Sequence, residues 1–398
     1  MTSTARPSRE LVLTHTAVIR LVLAWGASIA LMATRDVLHS GLPGPLLVAV
    51  LGLTVAIVVV AAFGVVHEAE QLAHRLGDPY GSLVLTLSIV LIEVVLISSV
   101  MLGPGEHDTI ARDSVLAVMM IILNLVIGIA LLMAGRRGPA PAHNRTGTSV
   151  YVGMIALFGT LAFVMPAVTG TTGSYTSAQE IPIVLVTLVS YAWFLIRQTG
   201  RQAPDFTDPT SPATTPTTSA PTTTGRSAAD TTATSARTPV GTVLREHRTE
   251  LLARTLLLVA TMIPIVLMSH DLAGLLDDGL GRVGAPVALA GILIAIIVFT
   301  PESITAIRAA LRGETQRVVN LCLGAFVSTV GLTIPAVLVI GLVTDQKVVL
   351  APTAPHLVLV VTTVVTTAIT FAAPRVTASH GALHLALFAV YVVTVFTT

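Results

Sequence analysis

Apolar residues along this chain form long, nearly unbroken runs that are separated by short polar stretches. A helix that crosses a bilayer needs about 20 mostly apolar residues. Runs of this kind lie at residues 17–34, 44–66, 81–102, 113–134, 149–168, 180–196, 250–270, 285–311, 318–343, 354–373 and 381–397. They are too continuous for the alternating strands of a membrane barrel. The pattern therefore predicts an all-α polytopic membrane protein with about eleven transmembrane helices.

The amino-acid composition excludes a water-soluble globular protein. Hydrophobic residues make up 53% of the 398 positions and charged residues only 11%. Soluble domains, by comparison, carry about 25% charged residues. The single cysteine, Cys322, also excludes an internal disulfide.

Basic residues alternate between the two sides of the predicted helices. Only Arg35, Arg112, Arg282 and Lys347 fall in loops that follow odd-numbered spans. The other Lys and Arg residues lie at the N-terminus, in the even-numbered loops or near span ends on that side. Positive charge is enriched in cytoplasmic loops. The distribution therefore predicts a cytoplasmic N-terminus and an external C-terminus.

A segment rich in Thr, Ser and Pro divides the chain. Residues 199–248 cannot bury enough apolar surface to fold, so we expect a disordered cytoplasmic linker there. The linker separates a first group of helices at residues 44–198 from a second group at 249–398. Residues 1–43 hold the N-terminal tail and the first helix.

Two carboxyl groups lie inside predicted spans. Glu93 is in the middle of the third span, and Glu302 is past the middle of the eighth. An ionisable side chain near the bilayer centre costs at least about 2.5–3.5 kcal/mol on insertion scales, so it commonly marks function. The alternative for each residue is a structural carboxyl that is hydrogen-bonded to a neighbouring helix.

The two glutamates occupy corresponding places in the two halves of the chain. Their spans are five apart and so run in opposite directions, which makes spans two to six and seven to eleven candidate inverted repeats. Inverted repeats with polar groups at the midplane are typical of secondary transporters. Asn124 in span four, and Asn320 and Ser328 in span nine, are the expected supporting polar residues. Pro301 should break or kink the helix beside Glu302.

Such a pair of carboxyls suits the exchange of a cation for protons. Burial favours the protonated form of a carboxyl, and carboxylates also bind hard cations such as Ca²⁺. A site built from Glu93 and Glu302 can bind protons or a metal cation but not both, and presenting it to alternate sides of the membrane gives antiport. No phosphate-binding loop sequence is present, so we expect an ion gradient to supply the energy.

A charged cluster precedes the third span. It comprises His67, Glu68, Glu70 and His74, of which the last two are four residues apart and share a helical face. One interpretation is a funnel that admits protons or cations, or a pH sensor that acts through the histidines. The other is an ordinary solvated helix end on the cytoplasmic side.

The segments around the two glutamates resemble a known family. The sequence "AEQLAHRLGDPYGSLVLTLSIVLIEVVLISSVML" and the following "ARDSVLAVMMIILNLVIGIALLMAG" resemble the first repeat of the calcium/cation antiporter superfamily. The sequence "FTPESITAIRAALRGETQRVVNLCLGAFVSTVGLTIPAVLVIGL" resembles the second repeat. Within the superfamily, the chain is most similar to the bacterial ChaA-type calcium:proton and sodium/potassium:proton antiporters.

This resemblance implies a fold, a location and a role for the two glutamates. The fold is one extra N-terminal helix followed by two inverted five-helix repeats, in the inner (plasma) membrane of a bacterium. Glu93 and Glu302 match the glutamates that bind cation and proton in turn.

The residues just before the glutamates differ from the family pattern. Typical calcium exchangers have Gly-Asn-Ala there, whereas this chain has Val-Leu-Ile at residues 90–92 and Phe-Thr-Pro at residues 299–301. Ca²⁺/H⁺ antiport is the first expectation, and the missing Asn side chains leave room for Na⁺ or K⁺.

A membrane-embedded enzyme and an uncoupled cation channel are the alternative functions. An enzyme site usually needs a nucleophile–base pair, a metal cluster or a phosphate-binding loop, and none is visible in the predicted spans. The expected partners are the lipid bilayer and small inorganic cations. We expect no cofactor, nucleotide or nucleic acid.

Overall fold

The computed structural model describes residues 14–39, 41–76, 80–102, 108–136, 143–207, 248–286, 288–373 and 375–397. Within these ranges, eleven helices are long and apolar enough to cross a membrane, and no β-strand is found. They are α1 (His15–Ala33), α2 (Gly44–Leu76), α3 (Tyr80–Met101), α4 (Ile110–Gly135), α5 (Arg145–Thr169), α6 (Ser177–Thr199), α7 (Arg248–Arg282), α8 (Ala288–Leu311), α9 (Thr315–Thr344), α10 (Ala354–Ala372) and α11 (Ala378–Thr397). The predicted all-α fold with eleven spans is confirmed.

Two short helical segments join the spans on the described part of the chain. Arg35–His39 follows α1, and a 3-10 turn at Ala203–Phe206 follows α6. Most of the predicted linker, residues 208–247, lies outside the described residues.

Helix α4 changes its winding where it passes the middle of the bundle. It is α-helical over Ile110–Met119, π-helical over Met120–Val126 and α-helical again over Ile127–Gly135. Helix α5 contains a similar π-helical stretch at Thr160–Val164. Such π-helical turns occur frequently at functional sites.

Helix α8, in contrast, is continuous through Pro301. The helix is therefore not broken beside Glu302, and the predicted break does not occur. Pro301 has no amide hydrogen to donate to the Ile297 carbonyl, and the Thr300 and Ser303 hydroxyls donate to other carbonyls, those of Ile296 and Phe299. Prolines are tolerated within membrane helices where neighbouring helices and local adjustments of the backbone compensate for the lost hydrogen bond.

The helix contacts repeat between the two halves of the chain. Helix α3 packs against α9, and its counterpart α8 packs against α4. Helix α4 packs against α11, and its counterpart α9 packs against α6. Helices α2 and α7 pack against each other, and α1 lies against both. Exchanging helices two to six with seven to eleven maps these contacts onto one another, as expected for two five-helix repeats preceded by one extra helix.

Helices α4 and α9 form the centre of the bundle. Within their most apolar windows, 83% and 67% of the residues are buried, compared with 17% in α1 and α6. A helix that is apolar all round and buried all round is a core helix. Polar side chains that α4 and α9 carry therefore face other helices rather than lipid.

The backbones of α4 and α11 approach closely at two glycines. A Cβ atom added to Gly381 would lie 2.7 Å from the Gly128 carbonyl oxygen and 2.7 Å from the Leu132 amide nitrogen. Small residues allow such close packing between membrane helices. This contact fixes the distance between the two helix axes.

We expect Gly381→Ala to lower the free energy of unfolding by about 1–3 kcal/mol, because the added methyl group overlaps backbone atoms that cannot move away. Gly153→Ala is the matched control, since a Cβ atom there meets nothing within 4 Å. The control should be neutral or slightly stabilising because Ala favours helix more than Gly does. Thermal unfolding of the purified proteins in detergent measures both effects, and equal midpoints for the two variants would contradict this contact.

Candidate functional site

Glu93 of α3 points into the protein. It is 1% exposed, and its Oε2 atom accepts a hydrogen bond from the Thr329 hydroxyl of α9 at 2.7 Å. Its Oε1 atom is buried and has no hydrogen-bond partner among the described residues. Because buried polar atoms are nearly always hydrogen-bonded, such an oxygen is a candidate ligand for a proton or an ion.

Glu302 of α8 borders a small cavity. Its Oε2 atom is also buried, and no described residue forms a hydrogen bond with it. The cavity has a volume of about 10 Å³, which is room for roughly one water molecule. It is lined by Ile122, Val126, Glu302, Ser303, Ala306, Leu321, Cys322 and Ala325.

Both glutamates lie against α9, where Thr329 contacts Glu93 and Ala325, one turn earlier, lines the cavity at Glu302. The site thus combines residues of α3, α8 and α9 with one face of the π-helical segment of α4. Two neighbouring carboxylates in apolar surroundings repel each other, and burying either one without a partner is costly. Protons or a cation would remove this repulsion, so Glu93 and Glu302 are the residues that can hold a metal ion here.

The predicted supporting residues do not all join this site. Ser328 is buried on α9 beside Tyr191 of α6, one position before the partner of Glu93. Asn320 instead donates a hydrogen bond to the Phe206 carbonyl at 2.7 Å and accepts one from Gln316. Asn320 therefore ties the beginning of α9 to the 3-10 turn that follows α6, away from the two glutamates.

Asn124 lies within the π-helical segment of α4 and is fully buried. Its amide nitrogen donates to the Thr363 hydroxyl at 2.8 Å, and its amide oxygen lies 3.1 Å from Nδ1 of His384. The side chain thus links α4 to α10 and α11. Ile122 and Val126 of the same segment line the cavity at Glu302.

The charged cluster before the third span belongs to the last turns of α2, which continues to Leu76. Glu68 is buried and pairs with Arg254 of α7 at 3.3 Å, whereas His67 is exposed and Glu70 is half-buried. The side chain of His74 lies outside the described residues. The ion pair makes Glu68 a link between α2 and α7 rather than an open cation ligand.

Sequence reasoning did not identify Thr329 as the partner of Glu93, nor the buried polar group around His384. His384 is an ionisable residue inside an apolar span, a signal that was available in the sequence. In span ten, Thr363, Thr367 and Thr370 recur at helical spacing and are all fully buried. A polar stripe of this kind predicts a helix face that is turned toward the protein interior.

Comparisons with known proteins show which family the chain belongs to. A family profile described as sodium/calcium exchanger protein matches residues 46–200 and 254–397. The putative ionic transporter y4hA of Sinorhizobium fredii is 33% identical over 334 residues, which cover 83% of this chain and 84% of that relative. The sodium-potassium/proton antiporter ChaA of Escherichia coli is 30% identical over 354 residues, or 88% of this chain and 90% of ChaA.

Solved structures show the same fold at low sequence identity. The structure of native YfkE superposes with a TM-score of 0.68 at 16% identity and covers 95% of this chain and 100% of that one. The H⁺/Ca²⁺ exchanger CAX superposes with a TM-score of 0.59 at 15% identity and covers 95% of this chain and 89% of CAX. Together with the profile match over both halves, these relatives establish the family. The chain belongs to the sodium/calcium exchanger protein family and is an integral membrane cation antiporter.

Proposed function

We propose that this protein exchanges a cation for protons by alternating access, with Glu93 and Glu302 as the shared binding site. One observation carries the proposal: Glu93 and Glu302 lie against neighbouring turns of α9, and each has a buried carboxyl oxygen without a hydrogen-bond partner in the described part of the chain. Secondary transporters bind substrate and coupling ion near the midplane, between their repeats.

Mutual exclusion at these carboxyls provides the coupling. When both are protonated the site is neutral, and the Thr329 hydroxyl satisfies one oxygen of Glu93. A cation becomes the better partner once the carboxyls have lost their protons, because its charge removes their repulsion. The doubly protonated site, the site with Ca²⁺ and the site with one Na⁺ or K⁺ and one remaining proton are each neutral. The empty site would leave buried charges unpaired, and only loaded forms would therefore change sides readily.

The surroundings of Glu302 offer few oxygen ligands and favour Na⁺ over the Ca²⁺ expected from the sequence. Calcium takes about six to eight oxygen ligands. Apart from Glu302, the residues that line its cavity contribute only the Ser303 hydroxyl and the Cys322 thiol as polar groups. The Ser303 hydroxyl already donates to the Phe299 carbonyl. The relative ChaA is named a sodium-potassium/proton antiporter, and its name supports a monovalent cation as the substrate here.

We also propose that the N-terminus is cytoplasmic, the C-terminus external, and the membrane a bacterial inner membrane. In this orientation α8 runs inward, and Ala306 lies one turn beyond Glu302 on the cytoplasmic side. Leu321 and Cys322 belong to the cytoplasmic half of α9. The cavity at Glu302 therefore extends toward the cytoplasm.

Replacing either carboxyl by an amide of the same shape should abolish coupled exchange. We expect Glu93→Gln and Glu302→Gln to reduce cation-dependent proton movement in proteoliposomes to the level of empty liposomes, because the amide cannot bind and release a proton. Glu180→Gln in α6 is the matched control, since it removes another buried carboxyl that lies near the start of its helix. This control should retain exchange.

Flux with Na⁺, K⁺ and Ca²⁺ offered separately identifies the transported cation. Exchange that survives in both glutamine variants would contradict the proposed site. Cation current without proton movement in the unmodified protein would instead indicate a channel.

Removing the hydroxyl that contacts Glu93 should weaken cation binding. A hydrogen bond to a charged group contributes about 1.5–3 kcal/mol, so we expect Thr329→Val to lower the apparent cation affinity roughly ten- to hundredfold. Thr333→Val is the control on the same helix, because the buried Thr333 hydroxyl has no partner among the described residues. Transport measured against cation concentration at fixed pH separates the two variants, and equal affinities would show that the Thr329 contact is unimportant.

Cys322 lines the cavity beside Glu302, so its thiol can be used as a chemical probe of this cavity. We expect a small methanethiosulfonate reagent to inhibit exchange, because the attached group fills the space next to the carboxyl. Cys322→Ala removes the only thiol of the chain and should exchange normally in the presence of the reagent. Mass spectrometry measures the labelled fraction, and complete labelling with unchanged transport would contradict this location.

A further inference from the structure

His384 lies in the interior of the bundle, on a side of α4 that the proposed exchange site does not use. It is 0% exposed on α11, and both of its ring nitrogens have polar neighbours on other helices. Nδ1 lies 3.1 Å from the Asn124 amide oxygen of α4, and Nε2 lies 3.1 Å from the Thr370 hydroxyl of α10. An ionisable residue held in this way within a membrane protein indicates function.

The hydrogen bonds around Asn124 determine the roles of these neighbours. Its amide nitrogen donates to the Thr363 hydroxyl and to the Met120 sulfur. Its amide oxygen therefore faces His384 and can only accept a hydrogen bond. Nδ1 of His384 must carry a hydrogen in either protonation state, and the Leu123 carbonyl is a second acceptor close to the ring.

The other side of the ring can accommodate both protonation states. When His384 is neutral, the Thr370 hydroxyl donates to Nε2. When the ring is protonated, Nε2 becomes a donor and the Thr370 oxygen can accept. The hydroxyl hydrogen of Thr370 then turns to a carbonyl one turn earlier, as Thr side chains in helices commonly do. A single hydroxyl rotation thus lets the ring gain or lose a proton without breaking a hydrogen bond.

Few charged groups act on this ring. His380, one turn earlier on α11, is the titratable residue that influences it electrostatically. On α4 and α10, Arg112, Asp113 and His356 lie near the opposite helix ends. At the start of α5, His143 and Arg145 contact the carbonyls of Phe371 and Ala372, just beyond Thr370. The protonation equilibrium of His384 is therefore expected to shift when a charge is added within the bundle.

The π-helical segment of α4 connects His384 with the exchange site. Asn124 is on the face of this segment that contacts α10 and α11, whereas Ile122 and Val126 line the cavity at Glu302. The close contact between Gly128 and Gly381 holds α4 and α11 together one turn away. A change in the hydrogen bonds of Asn124 is therefore transmitted to the segment that borders Glu302.

We propose that His384 is a second proton-binding site of this antiporter, coupled to the Glu302 cavity through Asn124 and the π-helical segment of α4. The coupling to transport rests on the proposed cation/proton exchange at Glu93 and Glu302. A cation at the glutamates and a proton on His384 repel each other, so binding of one disfavours the other. By linkage the effect is reciprocal.

Nuclear magnetic resonance of histidine-labelled protein tests the site directly. The signal missing from His384→Gln, or displaced in Thr370→Val if the first variant does not fold, identifies this residue. We expect this signal to titrate with pH. Saturating NaCl, KCl or CaCl₂ should move the midpoint to lower pH by roughly one unit, which is a tenfold coupling within the range usual between linked sites.

A signal that does not titrate at any pH at which the protein remains folded, or a midpoint that is equal with and without every cation, would overturn the proposal. Exchange by the same preparation is measured in parallel. If the protein exchanges cations for protons but the His384 signal does not titrate, only the second site is rejected. If the protein does not exchange, the proposed function is rejected, and the titration of His384 is judged separately.

The pH profile of exchange provides a readout that a purely structural histidine would not change. We expect His384→Gln and Thr370→Val to retain exchange at alkaline pH and to shift the acidic limb of the profile by about one pH unit. His15→Gln, which changes an exposed histidine at the start of α1, is the control and should have the profile of the unmodified protein. Profiles that coincide for all four proteins would contradict a proton-binding role for His384.

Discussion

Keeping two carboxyl groups inside an apolar helix bundle costs free energy, and this cost is the constraint on which the rest of the account depends. Glu93 has one hydrogen bond, from Thr329, and the cavity at Glu302 is bordered almost entirely by apolar side chains. A buried carboxylate in such surroundings must be neutralised by a proton or paired with a cation. In the proposed mechanism, exchange follows from this constraint because either ligand suffices and the two compete. The repulsion between the glutamates strengthens the competition, since neither carboxylate can neutralise the other.

The repeated architecture places these groups together but surrounds them unequally. Helices α4 and α9 occupy the centre, and each contacts the glutamate-bearing helix of the other half. Helix α9 contributes a hydroxyl to Glu93, whereas α4 offers two apolar side chains at Glu302 and directs Asn124 toward α10 and α11. The two carboxyls therefore differ in their partners. Because of this difference, the π-helical segment of α4 contacts the proposed exchange site on one face and His384 on another.

Much of the fold and part of the site could be predicted from the sequence. The apolar runs predicted the eleven helices, and the cost of burying Glu93 and Glu302 marked them as the central pair. The helix break expected at Pro301 does not occur, because the rule that proline interrupts a helix is local and ignores the packing of α8 against its neighbouring helices. Asn320 and Asn124 looked equivalent in the sequence, but packing gives them different partners. Asn320 donates to a carbonyl of the 3-10 turn after α6, whereas Asn124 contacts the buried His384. The roles of these side chains depend on contacts between distant segments, which spacing along one helix does not reveal.

The central claim is that protons and the transported cation occupy the same two carboxyls. It is tested most directly by adding cation to the purified protein in weakly buffered detergent solution and counting the protons released with a pH indicator. Charge balance predicts about one proton for each bound Na⁺ or K⁺ and about two for each Ca²⁺ while the carboxyls are protonated, with release disappearing at alkaline pH. Saturable cation binding that releases no protons at any pH would contradict the account.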